Sequence, residues 1–144
     1  MIAIGCDHGG FELKEKLIAH LNDRKTEFRD FGCFDENSVD YPVIAEKVAK
    51  AVVCGECELG ILVCGTGIGM SLAANKVKGI RAAACSETFS AEFTRRHNDA
   101  NILCLGGRVI GICTAEKMVD LFLDTPFEGG RHEKRVNMIK ELEK

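Results

Sequence analysis

The segment VCGTGIGMS, residues 63–71, places a thiol directly before a glycine-rich turn. Gly65, Gly67 and Gly69 follow Cys64 at alternate positions, so the backbone can turn tightly and bring its amide groups close to a ligand. A cysteine at the start of a helix can become a thiolate at neutral pH, because the amide dipoles there lower its pKa. The segment therefore predicts either an oxyanion-binding loop with a reactive thiol or a structural cysteine beside a packing turn.

Several familiar phosphate- and nucleotide-binding motifs do not fit this segment. A dinucleotide fingerprint counted from Gly65 needs a glycine where Met70 stands, and a Walker A loop needs a lysine that the segment lacks. The phosphatase pattern C-x5-R also fails, because the sixth residue after Cys64 is Met70. A flavin-binding module stays an alternative, although the chain has no tryptophan and a single tyrosine to stack on the flavin ring.

Acid–base and cationic groups stand in three other segments. Asp7 and His8 follow the first apolar segment, whereas His97 and Asn98 end a helical pattern late in the chain. Each histidine has two interpretations: His8 is a loop residue or a functional group, and His97 is a functional group or a favourable cation at a helix end. Two arginines in the last helical pattern are four residues apart, which suits either phosphate or a solvated basic face. They are Arg131 and Arg135.

The elements that must position these groups follow the rhythm of repeated β-α-β units, which indicates an α/β fold. Five apolar segments predict strands at residues 2–6, 27–31, 59–64, 81–85 and 102–105, with helical patterns between them and a charged last helix. We expect an open parallel sheet of order 2-1-3-4-5 with helices on both faces. Strands 1 and 3 are then neighbours where the order reverses, so the turns CDHGG and CGTGIG meet at the edge that favours ligands.

The predicted helix over residues 86–97 separates His97 from Cys64. At about 1.5 Å per residue this helix runs roughly 18 Å back along the sheet, so His97 is expected at the opposite edge. If His97 and Cys64 act at one site, that site is shared between the subunits of a symmetric homodimer.

The composition is typical of a single globular domain spanning residues 1–144, with 46% hydrophobic and 28% charged residues. No apolar run approaches the roughly 20 residues that a membrane span needs, and no secretory signal opens the chain. The net charge of −3 argues against nucleic acid as the main partner. Eight cysteines without a signal peptide are expected to be reduced, which favours the cytoplasm, and the Cys54–Cys57 pair has no second pair at zinc-finger spacing.

The chain resembles the ribose-5-phosphate isomerase B family, which also includes galactose-6-phosphate and allose-6-phosphate isomerases. The segments that carry the resemblance are GCDHGGFELK, DYP, VCGTGIGMSLAANKVKGIRAA, RRHNDANILCLGGR and GGRHEKRV. It implies a Rossmann-like domain, a homodimer with two shared sites, and interconversion of ribose 5-phosphate and ribulose 5-phosphate without metal or cofactor. A six-carbon sugar phosphate, of allose or galactose, stays the alternative substrate, because pocket depth rather than a motif accommodates one more carbon. A non-catalytic phosphosugar-binding module is a further alternative.

The resemblance also implies roles for the catalytic groups. Cys64, beside Thr66, would move a proton between carbons 1 and 2 of the sugar. In a sister subclass a glutamate does this work at the position of Met70, which cannot take a proton. His97 of the partner subunit would open the furanose ring, and Asp7 would bind the ring oxygen or a hydroxyl. The amides that would hold the enediolate oxygen belong to the loop of Gly65, Gly67, Ile68 and Gly69.

The remaining site residues are implied to bind the sugar and its phosphate. Asn98 and Tyr41 would contact sugar hydroxyls. The phosphate would be held by His8, Arg131 and Arg135, with Arg108 adding positive charge nearby.

Overall fold

The computed structural model describes residues 1–144 and contains a five-stranded parallel sheet. The strands are β1 (Ile2–Cys6), β2 (Phe28–Asp30), β3 (Leu59–Cys64), β4 (Ala82–Ala84) and β5 (Ile102–Gly106). The helices are α1 (Phe11–Asp23), α2 (Tyr41–Val53), α3 (Ile68–Ala74), α4 (Thr88–Asn98), α5 (Ile112–Asp124) and α6 (Arg131–Glu141), and a short 3-10 turn spans His8–Gly10. No helix of the fold is both long and apolar enough to cross a bilayer.

The sheet is covered on both faces, which confirms the predicted Rossmann-like α/β architecture. Alternate side chains of a strand point to opposite faces, so β3 sends Ile61 and Val63 into one core layer and Leu62 and Cys64 into the other. The first layer is closed by α1, α4 and α5, and the second by α2 and α3. The side chain of Cys64 therefore lies on the face that α2 and α3 cover.

The predicted strand order 2-1-3-4-5 is wrong, because the observed order is β2-β1-β3-β5-β4. All five residues of β5 are buried, since its sequence ILCLG is apolar or small on both faces. The three alanines of β4 are only partly covered and pair along one side, against β5. A strand that is apolar on both faces gains more from the sheet interior than a short alanine strand does, so β5 takes the inner position. The loop after β5 consequently lies beside Cys64.

A buried lysine anchors the segment between β2 and α2. Lys14 of α1 is completely buried, and its Nζ donates to both carboxylate oxygens of Asp30 at 2.8 and 2.7 Å and to the carbonyl of Cys33 at 2.6 Å. The chain then enters α2 through its N-cap residue Asp40, whose side chain makes no capping hydrogen bond. Pro42 stands in the first turn of that helix, where its missing N–H costs nothing.

Candidate active site

Cys64 ends β3 with its thiol directed at the backbone of the next turn. Its side chain is buried, and its Sγ accepts a hydrogen bond from the amide of Gly67 at 3.1 Å. Gly67 has φ +82°, and a Cβ there would lie 3.0 Å from the carbonyl carbon of Leu105, so this turn requires glycine. Thr66 is exposed and its Oγ1 accepts from the amide of Ile68 at 3.2 Å.

Three other cysteines, in or beside the apolar core, have raised pKa values. Burial raises the pKa of the Cys85 thiol to about 11, and the nearby Glu87 carboxylate adds to that effect. Burial likewise raises the pKa of Cys104, and Cys64 and Cys85 reinforce the shift. Burial also raises the pKa of Cys6. These three thiols stay protonated at neutral pH, so Cys64 is distinguished from them by its amide donor.

Three loops at the carboxyl ends of β1, β3 and β5 are pressed together around Cys64. The amide of Gly107 donates to the carbonyl of Cys64 at 2.8 Å, and the amide of Arg108 donates to that of Gly65 at 3.1 Å. A Cβ on Gly107 would lie 2.9 Å from the carbonyl oxygen of Gly9, so the loops touch where there is no room for side chains. The guanidinium of Arg108 lies against the backbone of Gly65.

Asp7 and His8 belong to the loop after β1. Asp7 is buried, and its Oδ1 accepts from the amides of Gly9 at 2.9 Å and Gly10 at 3.2 Å, which fixes the carboxylate at the start of the 3-10 turn. His8 is exposed, and its Nδ1 accepts from the amide of Val39 at 3.3 Å. Since Nδ1 must be unprotonated to accept, the neutral ring carries its proton on Nε2, which is free to donate to a ligand.

Tyr41 covers the start of α3. It is the first residue of α2, is 39% exposed, and packs its ring so closely on Gly69 that a Cβ there would lie 2.6 Å from Cε1.

A cavity of about 340 Å³ opens beside His8 and Arg108 and is lined mainly by polar groups, including Lys16. We call these residues the loop half-site: Asp7, His8, Tyr41, Cys64, Gly65, Thr66, Gly67, Ile68, Gly69 and Arg108.

His97 and Asn98 lie at the other edge of the sheet, as the helix length predicts. They end α4, and the turn that follows leads into the amino end of β5. Asn101 in that turn donates its amide to the carbonyl of Arg81 and accepts from the amide of Gly60, at the start of β3. The two residues line a separate cavity of about 290 Å³ whose wall does not include Cys64.

The basic residues of α6 lie close to His97. The ring of His132 stacks on His97 with centroids 4.0 Å apart and planes within 10°. Desolvation, followed by the charges of His97, Arg131 and Arg135, lowers the pKa of His132, while Glu128 opposes the shift. Arg131 and Arg135 are exposed on this helix. We call His97, Asn98, Arg131 and Arg135 the helix half-site.

Sequence reasoning missed Glu128, which stands between the two histidines. Its Oε1 is 3.9 Å from Nε2 of His97 and 3.7 Å from Nε2 of His132. The spacing of four residues between Glu128 and His132 was a signal for this pair, but nothing local indicates that His97 joins it.

The fold and the loop half-site define a class of protein. It is an open parallel α/β sheet with ligand loops at the carboxyl ends of its strands, in which the loop after β3 offers a thiol and main-chain amides. The chain belongs to the ribose/galactose isomerase family, whose sequence model matches residues 2–139. Over 142 residues it is 51% identical to ribose-5-phosphate isomerase B of Escherichia coli, and the match covers 99% of this chain and 95% of that protein.

Solved structures agree with this assignment. Ribose-5-phosphate isomerase B of Clostridium thermocellum aligns with a TM-score of 0.97 and 53% identity, over 99% of this chain and 96% of that one. The Mycoplasma genitalium protein of the same name, solved with bound ribulose 5-phosphate, aligns with a TM-score of 0.93 and 41% identity, over 99% and 95% of the two chains. The resemblance predicted from the sequence motifs is therefore confirmed.

Proposed function

We propose that this chain is an aldose–ketose isomerase that interconverts ribose 5-phosphate and ribulose 5-phosphate. Full-length relatives that carry the name ribose-5-phosphate isomerase B support the substrate. The observation that carries the chemistry is the Cys64 thiol, which lies within hydrogen-bonding distance of a loop amide in the glycine-rich turn.

The proposed reaction is a proton transfer between adjacent carbons. The Cys64 thiolate removes the proton from carbon 2 of the open-chain aldose and returns it to carbon 1, and the pair of electrons moves through an enediolate. The amides of Ile68 and Gly69 belong to the first turn of α3, where amides have no partner within the helix, so Gly69 can donate to the developing oxyanion. One such donor contributes roughly 3 kcal/mol to the transition state. The hydroxyl of Thr66, two residues after the thiol on the same loop, is assigned the relay of protons between the two sugar oxygens.

Ring opening needs a second acid–base group, because the furanose has no free carbonyl. We assign it to His97 of the partner subunit, with Asp7 binding the ring oxygen or a hydroxyl through the carboxylate oxygen that the 3-10 turn does not use. Tyr41 and Asn98 contact sugar hydroxyls. The phosphate-binding groups of the two half-sites are His8, Arg108, Arg131 and Arg135.

The proposed active form is a homodimer in which each site joins one loop half-site to the helix half-site of the partner. The separation of the two half-sites within one chain supports it, since His97 and Cys64 end up at opposite edges of the sheet. Exposed apolar side chains support it further: Ile68 and Leu72 are 56% and 64% exposed on α3, and Phe89 is 68% exposed on α4. A second copy that covers these side chains would remove them from water.

We also place the enzyme in the cytoplasm, because a chain with eight cysteines and no disulfide framework at recognisable spacing is expected to stay reduced.

The test is ketose formation by the purified protein from ribose 5-phosphate, with allose 6-phosphate and galactose 6-phosphate assayed in parallel. We expect ribose 5-phosphate to give the highest kcat/KM. Cys64→Ala should keep the fold, because it removes only a single sulfur atom, and its turnover should fall by at least about a thousandfold. Cys104→Ala is the matched control, because its thiol is also buried. A six-carbon sugar that reacts faster would change the substrate and keep the mechanism. A Cys64→Ala variant with wild-type activity would refute the mechanism.

A further inference from the structure

We propose that His97, Glu128 and His132 form a binding site for a divalent transition-metal cation of the zinc type. We call these three residues the histidine–glutamate cluster. Their ligand atoms, one from each side chain, all lie within 4.8 Å of one another. Binding rests on this geometry alone, whereas its effect on turnover rests on the function proposed above.

The distances are close to those that a bound metal imposes. With metal–ligand bonds of about 2.1 Å, the ligand atoms of a tetrahedral site are roughly 3.4 Å apart. The Nε2 atoms of His97 and His132 are 3.9 and 3.7 Å from Oε1 of Glu128, so these two pairs need to close by only a fraction of an ångström. The two histidine ligand atoms lie within 4.8 Å of each other and must approach further. The His97 side chain is 38% exposed and can rotate to do so.

The two imidazoles stand side by side, with centroids 4.0 Å apart and planes within 10°. An imidazole nitrogen binds a metal in the plane of its own ring, so one ring must turn out of the stack when the metal binds. Neutral imidazole is the ligand form, and any proton remaining on the pair is released when the metal binds.

The two carboxylate oxygens of Glu128 face different partners. Its Oε2 lies 3.6 Å from a guanidinium nitrogen of Arg96, and its backbone amide donates to the carbonyl of Arg96 at 3.0 Å. Arg96 thus holds one carboxylate oxygen while the other faces both imidazoles, which is how outer partners orient metal ligands. Phe93 packs edge-on against the His97 ring, with centroids 5.0 Å apart, and limits its orientation.

The ligand set predicts what would complete the site. Two histidines and one glutamate are the ligands of catalytic zinc sites, which keep a fourth position open for water or a ligand oxygen. Arg131 and Arg135 oppose the cation but attract an anion, so we expect the fourth position to take an anionic oxygen. Coordination also occupies Nε2 of His97, so the bound metal would block the proposed ring-opening step and inhibit the enzyme.

Titration of the purified full-length protein with Co²⁺, monitored by visible absorption, tests the site directly. We expect ligand-field bands of a site with nitrogen and oxygen ligands, without thiolate-to-cobalt charge transfer, and their loss when Zn²⁺ displaces the cobalt. Glu128→Gln should weaken Co²⁺ binding by about tenfold or more, because the exposed carboxylate is a direct ligand. Glu133→Gln is the matched control, since it removes the same charge from an exposed position nearby and should leave the affinity unchanged.

Equal affinity for Co²⁺ in wild-type, Glu128→Gln and His132→Asn proteins would overturn the proposal, as would a spectrum dominated by thiolate ligands. Inhibition is measured separately: Zn²⁺ should slow conversion of ribose 5-phosphate by the wild type, and Glu128→Gln should raise the inhibitory concentration by the same factor as its Co²⁺ affinity falls. A protein that binds Co²⁺ through the cluster but converts no sugar phosphate would refute the proposed function and leave the metal site standing.

Discussion

The proposed shared active site predicts complementation between two variants that should each be inactive. Cys64→Ala lacks the proposed base and His97→Ala the proposed ring-opening group, and the 11 residues of α4 put about 16 Å between the edges where the two groups lie. One chain therefore cannot bring them together. In a heterodimer of the two variants, one site carries both lesions and the other carries neither. Random association makes half of the dimers heterodimers, so about a quarter of the wild-type site activity should return.

A second mixture tests the same geometry in the opposite direction. Wild-type chains paired with the double variant Cys64→Ala/His97→Ala form heterodimers in which every shared site lacks one group, so purified heterodimers should be inactive. If each chain instead held its own complete site, these heterodimers would keep half of the wild-type activity. Differently tagged chains, co-expressed and isolated by two affinity steps, give both heterodimers for assay with ribose 5-phosphate. Half-activity here, together with no recovery in the first mixture, would refute the shared site.

Three further predictions concern the turn, the buried ion pair and pH. Gly67→Ala should lower the free energy of unfolding, measured in urea, by about 2 kcal/mol or more and should reduce turnover, because the left-handed backbone and the contact with Leu105 both reject a Cβ. Gly55→Ala is the control: Gly55 has φ +85° and no atom within 4 Å of an added Cβ, so this variant should show the backbone strain alone. Lys14→Met should lower the free energy of unfolding by about 3 kcal/mol, because it leaves the Asp30 carboxylate without its cation. The double variant Lys14→Met/Asp30→Asn should recover part of that loss in the same assay, and a loss below about 1 kcal/mol for Lys14→Met would contradict the reasoning. Burial raises the pKa of Asp120, but hydrogen bonds from His20 and Arg24 outweigh that effect and lower it, so the carboxylate stabilises the folded state near pH 7. The urea midpoint of Asp120→Asn should therefore lie below that of the wild type near pH 7. The gap should close as acid protonates the carboxylate below its ordinary pKa of about 3.9, and a gap that persists in acid would contradict this.

The sequence predicts the inner strands well because they are defined by local hydrophobic content. β1 and β3 have the predicted bounds, and β5 is longer by one residue, Gly106. The order of β4 and β5 depends instead on which of the two strands buries more surface against β3. Neither segment alone predicts this order, because it requires a comparison between two distant segments. The three alanines of β4 gave no local sign that they form an edge.

The same distinction holds for the candidate site. The glycine spacing after Cys64 is a local pattern, and it predicts the tight turn at Gly67. The hydrogen bond from the Gly67 amide to the thiol is visible only in the structure. Glu128 joins His97 only because α6 packs on α4, and a glutamate next to two glycines has no local feature that indicates such a contact. Lys14 is a second case, since its charge predicts exposure but its partner Asp30 lies 16 positions away on β2.

The glycine contacts between the three loops restrict how the substrate range of this fold can change. Gly67, Gly106 and Gly107 already lie against neighbouring backbone, so a larger side chain there would break the turn before it could reshape the pocket. Room for one more carbon, or its removal, must come from side chains at the margin: Tyr41 over α3, and the residues of the proposed partner subunit. Directed evolution toward six-carbon sugars should therefore accumulate substitutions around Tyr41 and α4, and leave these three glycines unchanged.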